Sequence, residues 1–169
     1  GVDLDQESNG LVPTKAWNRK RFRSASQNAS SISVSIGQGF NLVTPLQMAK
    51  LTAAVANGGA LLKPNLVKSI QSLQDKGIVF TAPKIEGRLP LSPATLALVQ
   101  KGLWSVVNKD RGTAHASQLK TVEYAGKTGT AQVVGRKAVE GLDEDEIKLM
   151  HRDHAWFVAY APAENPSIA

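Results

Sequence analysis

Two hydrophobic periods alternate along this chain, and they change over at turn-forming residues. Leu46, Ala49, Leu51, Ala53, Ala54 and Val55 make a mostly apolar run, opened by Thr44-Pro45 and closed by Asn57-Gly58-Gly59. Threonine accepts backbone N–H bonds at a helix start, proline is pre-set for the first turn, and glycine takes the left-handed backbone at the end. The run predicts a buried helix. Ser92-Pro93 opens a second helix in the same manner. Leu96, Val99, Leu103, Val106 and Val107 recur there at helical spacing and predict a core stripe, with Trp104 beside them and a stop at Asn108 to Gly112. Thr14 is placed to cap a short helix from Lys15 to about Arg21.

Elsewhere the pattern fits strands. Leu66 to Ser72 and Ile78 to Thr81 flank Gln74-Asp75-Lys76-Gly77, which predicts a hairpin. Ser31 to Ile36 alternates serine with isoleucine and valine and predicts a short strand or an extended entry, after a loop over Arg23 to Ser33. Val122 to Val134 mixes β-branched and aromatic residues with small ones and predicts a strand interrupted by Gly126 and Gly129. Gly135 to Asp153 reads as a long charged connection, and Ala155 to Ala161 as the next strand, pairing with the one before. Asn165-Pro166 is a turn, and Ser167-Ile168-Ala169 the start of a third strand.

Composition narrows the class. The chain has 169 residues, 42% of them hydrophobic, enough for one compact domain or a large piece of one. No run approaches the roughly 18 apolar residues of a membrane span. Zero cysteines exclude disulfides, thiolate metal sites and cysteine nucleophiles. The net charge is +6, with a basic run at Arg19-Lys20-Arg21-Phe22-Arg23. No recognition motif accompanies it, so nucleic acid is not expected as a partner, and the run reads as a solvated helix end.

The candidate chemistry lies in Lys127-Thr128-Gly129-Thr130. Side chains alternate along a strand, so Thr128 and Thr130 share one face. Two hydroxyls on that face suit a carboxylate, with Lys127 adding positive field from the other register. Glycine within a strand often marks a close approach by a ligand or another backbone. Backbone N–H groups at such an edge also suit an oxyanion.

Lys-Thr-Gly is one of three signatures of penicillin-reactive serine enzymes, beside Ser-x-x-Lys and Ser-x-Asn or Ser-x-Asp. Its surroundings are informative: Arg111-Gly112-Thr113-Ala114-His115 upstream and Ala155-Trp156-Phe157-Val158-Ala159-Tyr160-Ala161-Pro162 downstream. Earlier come Ser35-Ile36-Gly37-Gln38-Gly39-Phe40 and Thr44-Pro45-Leu46-Gln47-Met48-Ala49. The opening Gly1-Val2-Asp3-Leu4 and Pro13-Thr14-Lys15-Ala16-Trp17 fit as well. In order and spacing the whole chain resembles the C-terminal part of a class B penicillin-binding protein, most nearly the elongation type.

That resemblance implies a mixed α/β (α+β) fold, an antiparallel sheet flanked by helices, within the penicillin-binding and serine β-lactamase-like transpeptidase fold. Residues 1–169 would then be a C-terminal fragment of a D,D-transpeptidase domain. The implied activity is cross-linking of peptidoglycan stem peptides through an acyl-serine, with β-lactams as mimics. By the family's pattern Lys127 assists the proton relay and the carboxylate field. The Thr128 and Thr130 hydroxyls contact the substrate carboxylate, Gly129 completes the motif, and the Thr130 N–H forms half of the oxyanion hole. No cofactor or metal is implied. The implied setting is the periplasmic face of the inner membrane, through an anchor outside this chain, beside a glycan polymerase of the elongation complex.

Other matches are weaker. Ser117-Gln118-Leu119-Lys120 fits Ser-x-x-Lys but sits in a polar segment just before the motif, whereas the family places its copy far upstream on a buried helix. Ser26-Gln27-Asn28 fits Ser-x-Asn but follows the Gly1 block rather than preceding it. His151 and His154 would suit a metal on one helix face, near Asp143, Glu144, Asp145 and Glu146, but no third ligand has an obvious place. Gly37-Gln38-Gly39 lacks the remaining residues of a phosphate loop, so its glycines are expected to turn the chain before Thr44. Two alternatives stay open: a β-lactamase or D,D-carboxypeptidase of the same superfamily, and a non-catalytic binding module that retains the fold.

The nucleophile and its base are therefore expected outside these residues, and the isolated chain should be inert. Threonine hydroxyls without an adjacent base are poor nucleophiles near neutral pH. Incubation with a fluorescent penicillin, followed by intact-mass measurement, should give no covalent adduct. A stoichiometric adduct mapped to Ser117 or any other residue here would make the chain an enzyme in its own right.

Overall fold

The computed structural model describes residues 7–21, 32–135, 140–143 and 146–169. Helix α1 spans Lys15–Arg21, with the Trp17 N–H donating to Thr14 Oγ1 at 3.1 Å. Helix α2 spans Pro45–Ala56 behind a reciprocal cap: the Gln47 N–H donates to Thr44 Oγ1, and the Thr44 N–H donates to Gln47 Oε1. Both orphan donors are thus satisfied by side chains. Helix α3 spans Pro93–Asn108, capped by Ser92 through the Thr95 N–H.

Among the described residues six strands pair two by two. β1 (Ala60–Leu62) runs antiparallel to β4 (Ile85–Arg88), and β2 (Ser69–Gln71) antiparallel to β3 (Ile78–Phe80). β5 (Ala125–Ala131) pairs with β6 (His154–Tyr160), as the sequence predicts for the motif strand and its successor. The β2–β3 hairpin turns through Lys76 at φ 56, and the Ser72 N–H closes it on the Gly77 carbonyl at 2.9 Å. Ile168 makes an isolated antiparallel bridge with Ala161, where a third strand is expected. The fold is mixed α/β, its antiparallel pairing carried by small sheets.

The chain divides into two compact units, one built on Thr44–Lys127 and Val158–Ala169, the other on Gly10–Val43 and Thr128–Phe157. In the first, Val107 of α3, Ala114 and Tyr124 form a buried cluster, with Val106, Ala159 and Ala161 packed against it. α3 reaches α2 through Gln100, whose Nε2 donates to the Val55 carbonyl at 2.7 Å. In the second unit, Trp17 and Phe40 meet with ring centroids 5.3 Å apart, and the Arg21 guanidinium lies over both rings. A bridge between Leu11 and Leu42 ties the two segments that carry them.

Three expectations change. Residues 32–35 are helical, not extended. Gly37 at φ 77 ends that turn: its N–H donates to the Val34 carbonyl and the Gln38 N–H to the Ser33 carbonyl. This is the glycine-capped helix end, and it overrides the alternation of serine and apolar residues. The α2 helix buries Thr52, Ala54 and Val55 but leaves Leu51 exposed, with Thr52 Oγ1 donating to the Met48 carbonyl so that its burial leaves no unmet donor. In α3, Leu96 and Val107 are buried while Val99 is exposed, because Gln100 occupies the line between them. The loop expected from Arg23 lies outside the described residues up to Ser31.

α3 ends where Gly112 crosses its last turn. A Cβ on Gly112 would sit 2.1 Å from the Val106 carbonyl oxygen and 2.7 Å from that of Ser105. The approach lets the Ala114 N–H donate to the Val106 carbonyl at 3.0 Å. Nothing lies within 4 Å of a Cβ on Gly102, in the middle of the same helix. Gly112→Ala should therefore destabilise by at least about 3 kcal/mol, the upper end of the usual overpacking cost. Gly102→Ala should stabilise by about 0.5–1 kcal/mol, since alanine restricts the unfolded chain and suits a helix interior. Denaturant unfolding of the two variants measures both, and equal effects would refute the assigned close approach.

Candidate active site

The site strand emerges from the core. Tyr124 is buried, its carbonyl accepts from Asn108 Nδ2 at 2.9 Å, and its hydroxyl lies 2.7 Å from both Ser117 Oγ and the Ser117 carbonyl. Glu123 just before it accepts from the Trp104 indole at 2.9 Å, and its carbonyl accepts from the Ala163 N–H. Ala125 is fully buried. From this anchored root β5 runs outward: Gly126 is buried, Lys127 exposed, Thr128 half-buried, and Gly129 and Thr130 exposed.

All four motif residues lie in the one extended strand, so the register expected from sequence is realised. Thr128 and Thr130 share a face, with Lys127 and Gly129 on the other. A Cβ on Gly129 would meet only the Trp156 Cβ within 4 Å, at an ordinary 3.5 Å. Gly129 thus packs its strand against Trp156 of β6 at ordinary contact distance, on the face opposite the two threonines.

One residue escaped the sequence reading. Gln38 Nε2 donates to the Thr130 carbonyl at 2.7 Å, and the Gln132 N–H points to Gln38 Oε1 at 3.4 Å. The flanking Gly37 and Gly39 take φ values of 77 and 81, so they do turn the chain tightly, as expected. Their effect is to aim the glutamine between them. A lone glutamine bracketed by two glycines was the available signal, and only the glycines received a role.

The Ser-x-x-Lys match is locally engaged. Ser117 closes the 3-10 turn His115–Ser117, and its hydroxyl donates to the Ala114 carbonyl at 2.7 Å while lying against Tyr124. Lys120 is exposed. An open cleft of about 540 Å³ runs along His115, Lys120 and Glu123 and contains none of the motif residues. His151 closes the 3-10 turn Leu149–His151, and His154 opens β6. Among the described residues no three metal-binding side chains come together. Ser26-Gln27-Asn28 and Glu144-Asp145 lie outside the described residues.

Comparison with known proteins agrees along the whole chain. The penicillin binding protein transpeptidase domain matches residues 1–169. The peptidoglycan D,D-transpeptidase MrdA of Haemophilus influenzae is 35% identical, over 99% of this chain and 26% of its own length. MrdA of Escherichia coli K12 is 34% identical, over 100% of this chain and 27% of its own. Among solved structures, PBP2 of Helicobacter pylori in complex with MreC superposes with a TM-score of 0.72 at 32% identity, covering 98% of this chain and 27% of that one. Pseudomonas aeruginosa PBP2 in complex with WCK 5153 gives 0.71 at 35% identity, over 98% and 33%. The chain spans about a quarter of the length of these curated relatives.

Proposed function

We propose, because the chain belongs to the penicillin-binding protein transpeptidase family, that the complete protein is a serine-type peptidoglycan D,D-transpeptidase and that β5 is its substrate strand. The observation that carries this is the placement of Lys127 to Thr130 on one strand that is rooted in the core and exposed at the motif. A strand held at its base presents fixed hydroxyls and backbone N–H groups, and fixed donors are what stabilise developing charge.

In this reading a serine outside these residues attacks the carbonyl of the penultimate D-alanine. The terminal D-alanine leaves as the amine, taking a proton, and an acyl-serine remains. An amine of a neighbouring stem peptide then attacks the acyl carbon, forming the cross-link and freeing the serine. A β-lactam acylates the same serine, but its leaving nitrogen stays tethered in the adduct. The Thr128 and Thr130 hydroxyls hold the carboxylate that peptide and β-lactam share. Lys127 supplies positive field and helps move the proton. The Thr130 N–H donates to the oxyanion, and the serine's own N–H supplies the second donor.

We propose further that the complete protein works at the periplasmic face of the inner membrane, held by an anchor beyond this chain, in the machinery of cell elongation. The Helicobacter pylori relative solved in complex with MreC supports an elongation partner. Stem peptides are the substrate, and a glycan polymerase supplies the strands to be joined.

Thr130→Val in the complete protein should slow penicillin acylation, because it removes a hydroxyl from the carboxylate while nearly keeping shape. A hydrogen bond to a charged group contributes about 1.5–3 kcal/mol, so the second-order acylation constant should fall roughly ten- to 150-fold. Stopped-flow acylation measures it, and a change within about twofold would remove Thr130 from the carboxylate site.

A further inference from the structure

The contact made by Gln38 has the form of a strand partner. Within an extended strand the N–H and C=O of one residue point to the same side, and those of the next residue to the other. The Thr130 N–H and the Thr130 carbonyl therefore line one edge of β5, and the Gln132 N–H, one residue past its end, faces the same way toward Gln38. Gln38 bonds the carbonyl of Thr130 and faces the N–H of Gln132, one donor and one acceptor straddling Ala131. A residue of a parallel neighbouring strand makes the same pair of bonds. The side-chain carboxamide thus takes the place of a peptide group on that edge.

Delivery of this amide is fixed but its grip is light. Gly37 ends the helical turn at 32–35, the Gln38 N–H is committed to the Ser33 carbonyl at 2.9 Å, and Phe40 just beyond packs on Trp17 under Arg21. The side-chain bonds are exposed, one short and one long. A solvent-exposed amide bond contributes little net affinity, so an incoming group can exchange with it.

We propose that Gln38 is a specificity-determining residue: its carboxamide holds the strand edge that a ligand's amide must take over. This rests on β5 being the substrate strand. An extended peptide, or a β-lactam with an acylamino group, carries an N–H beside its reactive carbonyl. Such a ligand replaces the Gln38 bond on the Thr130 carbonyl as it seats against the Thr130 N–H, in the manner of a peptide added to an open sheet edge. A ligand with no amide cannot replace that bond and leaves Gln38 in place. Gln38 therefore sets how strongly the site favours amide-bearing ligands.

The test uses the complete protein and two probes, benzylpenicillin and penicillanic acid, which lacks the acylamino group. Stopped-flow acylation separates the dissociation constant of the non-covalent complex from the first-order acylation step. Gln38→Ala should tighten benzylpenicillin about three- to tenfold, the worth of one exposed hydrogen bond, and should move penicillanic acid less than twofold. The acylation step should stay within about twofold for both. Gln38→Met, which keeps length and volume without the amide, should behave alike and guards against a packing defect in the alanine variant. Equal weakening of both probes, a slower acylation step, or no change in either variant would overturn the role of Gln38 while leaving β5 as the substrate strand. Failure of the unaltered protein to be acylated by either probe would overturn the transpeptidase reading itself, and this inference with it.

Discussion

The backbone contact at Gly112 is the constraint on which the root of the site strand depends. A Cβ at this position would sit 2.1 Å from the Val106 carbonyl oxygen, so only glycine makes the passage. That passage turns the chain back along α3 and places Ala114 beside Val107. Tyr124 then closes the cluster, and its carbonyl is pinned by Asn108 from the same helix end. β5 starts from this point, so its first residues, Ala125 to Lys127, take their place from a helix terminus that lies earlier in the chain. Packed interiors transmit such placement because they are close-packed and deform little.

A second theme is the use of side-chain amides where regular ladders stop. Asn57 donates to the Ala60 carbonyl and accepts from the Ala60 N–H, both at 2.9 Å, at the passage from α2 to β1. Gln100 satisfies the Val55 carbonyl near the end of α2, and Asn108 the Tyr124 carbonyl at the root of β5. Gln38 does the same at the far end of that strand. Backbone groups need partners wherever they are withdrawn from water, and a carboxamide carries both a donor and an acceptor. In a molecule of small two-stranded sheets, these side chains supply bonds that neighbouring strands supply elsewhere.

Local chemistry was legible in the sequence, and non-local chemistry was not. Thr44-Pro45 and Ser92-Pro93 announce helices because a cap and its first turn are adjacent in the chain. Gln74 to Gly77 announces a hairpin for the same reason. The motif itself was legible because four successive residues share one strand. Ser31 to Ile36 misled because alternation is a weak signal over six residues, and the deciding bonds come from Gly37 and Gln38 beyond it. Val99 fits the helical stripe as well as Leu96 does, and only the position of α2 shows that Gln100 faces inward instead. Gln38 is marked in the sequence only by its flanking glycines, because its partners lie more than ninety residues away.

The two short antiparallel pairs in the first unit differ in how they would meet a second copy of the chain. β1 and β4 lose register between Leu61 and Leu62, and such a bulge twists an edge away from regular pairing. β2 and β3 keep an unbroken register, with Ile70, Val79 and Phe80 all more than half exposed. An exposed apolar pair with unbroken register is a template for amyloid-like growth unless charge interrupts it. Lys68 stands immediately before β2 and Lys76 lies in the turn, so stacking two hairpins in register would bring like charges together at both ends. Like charges so placed oppose stacking between copies of the hairpin, the effect that flanking gatekeeper residues exert on apolar strands, and one unconnected with catalysis.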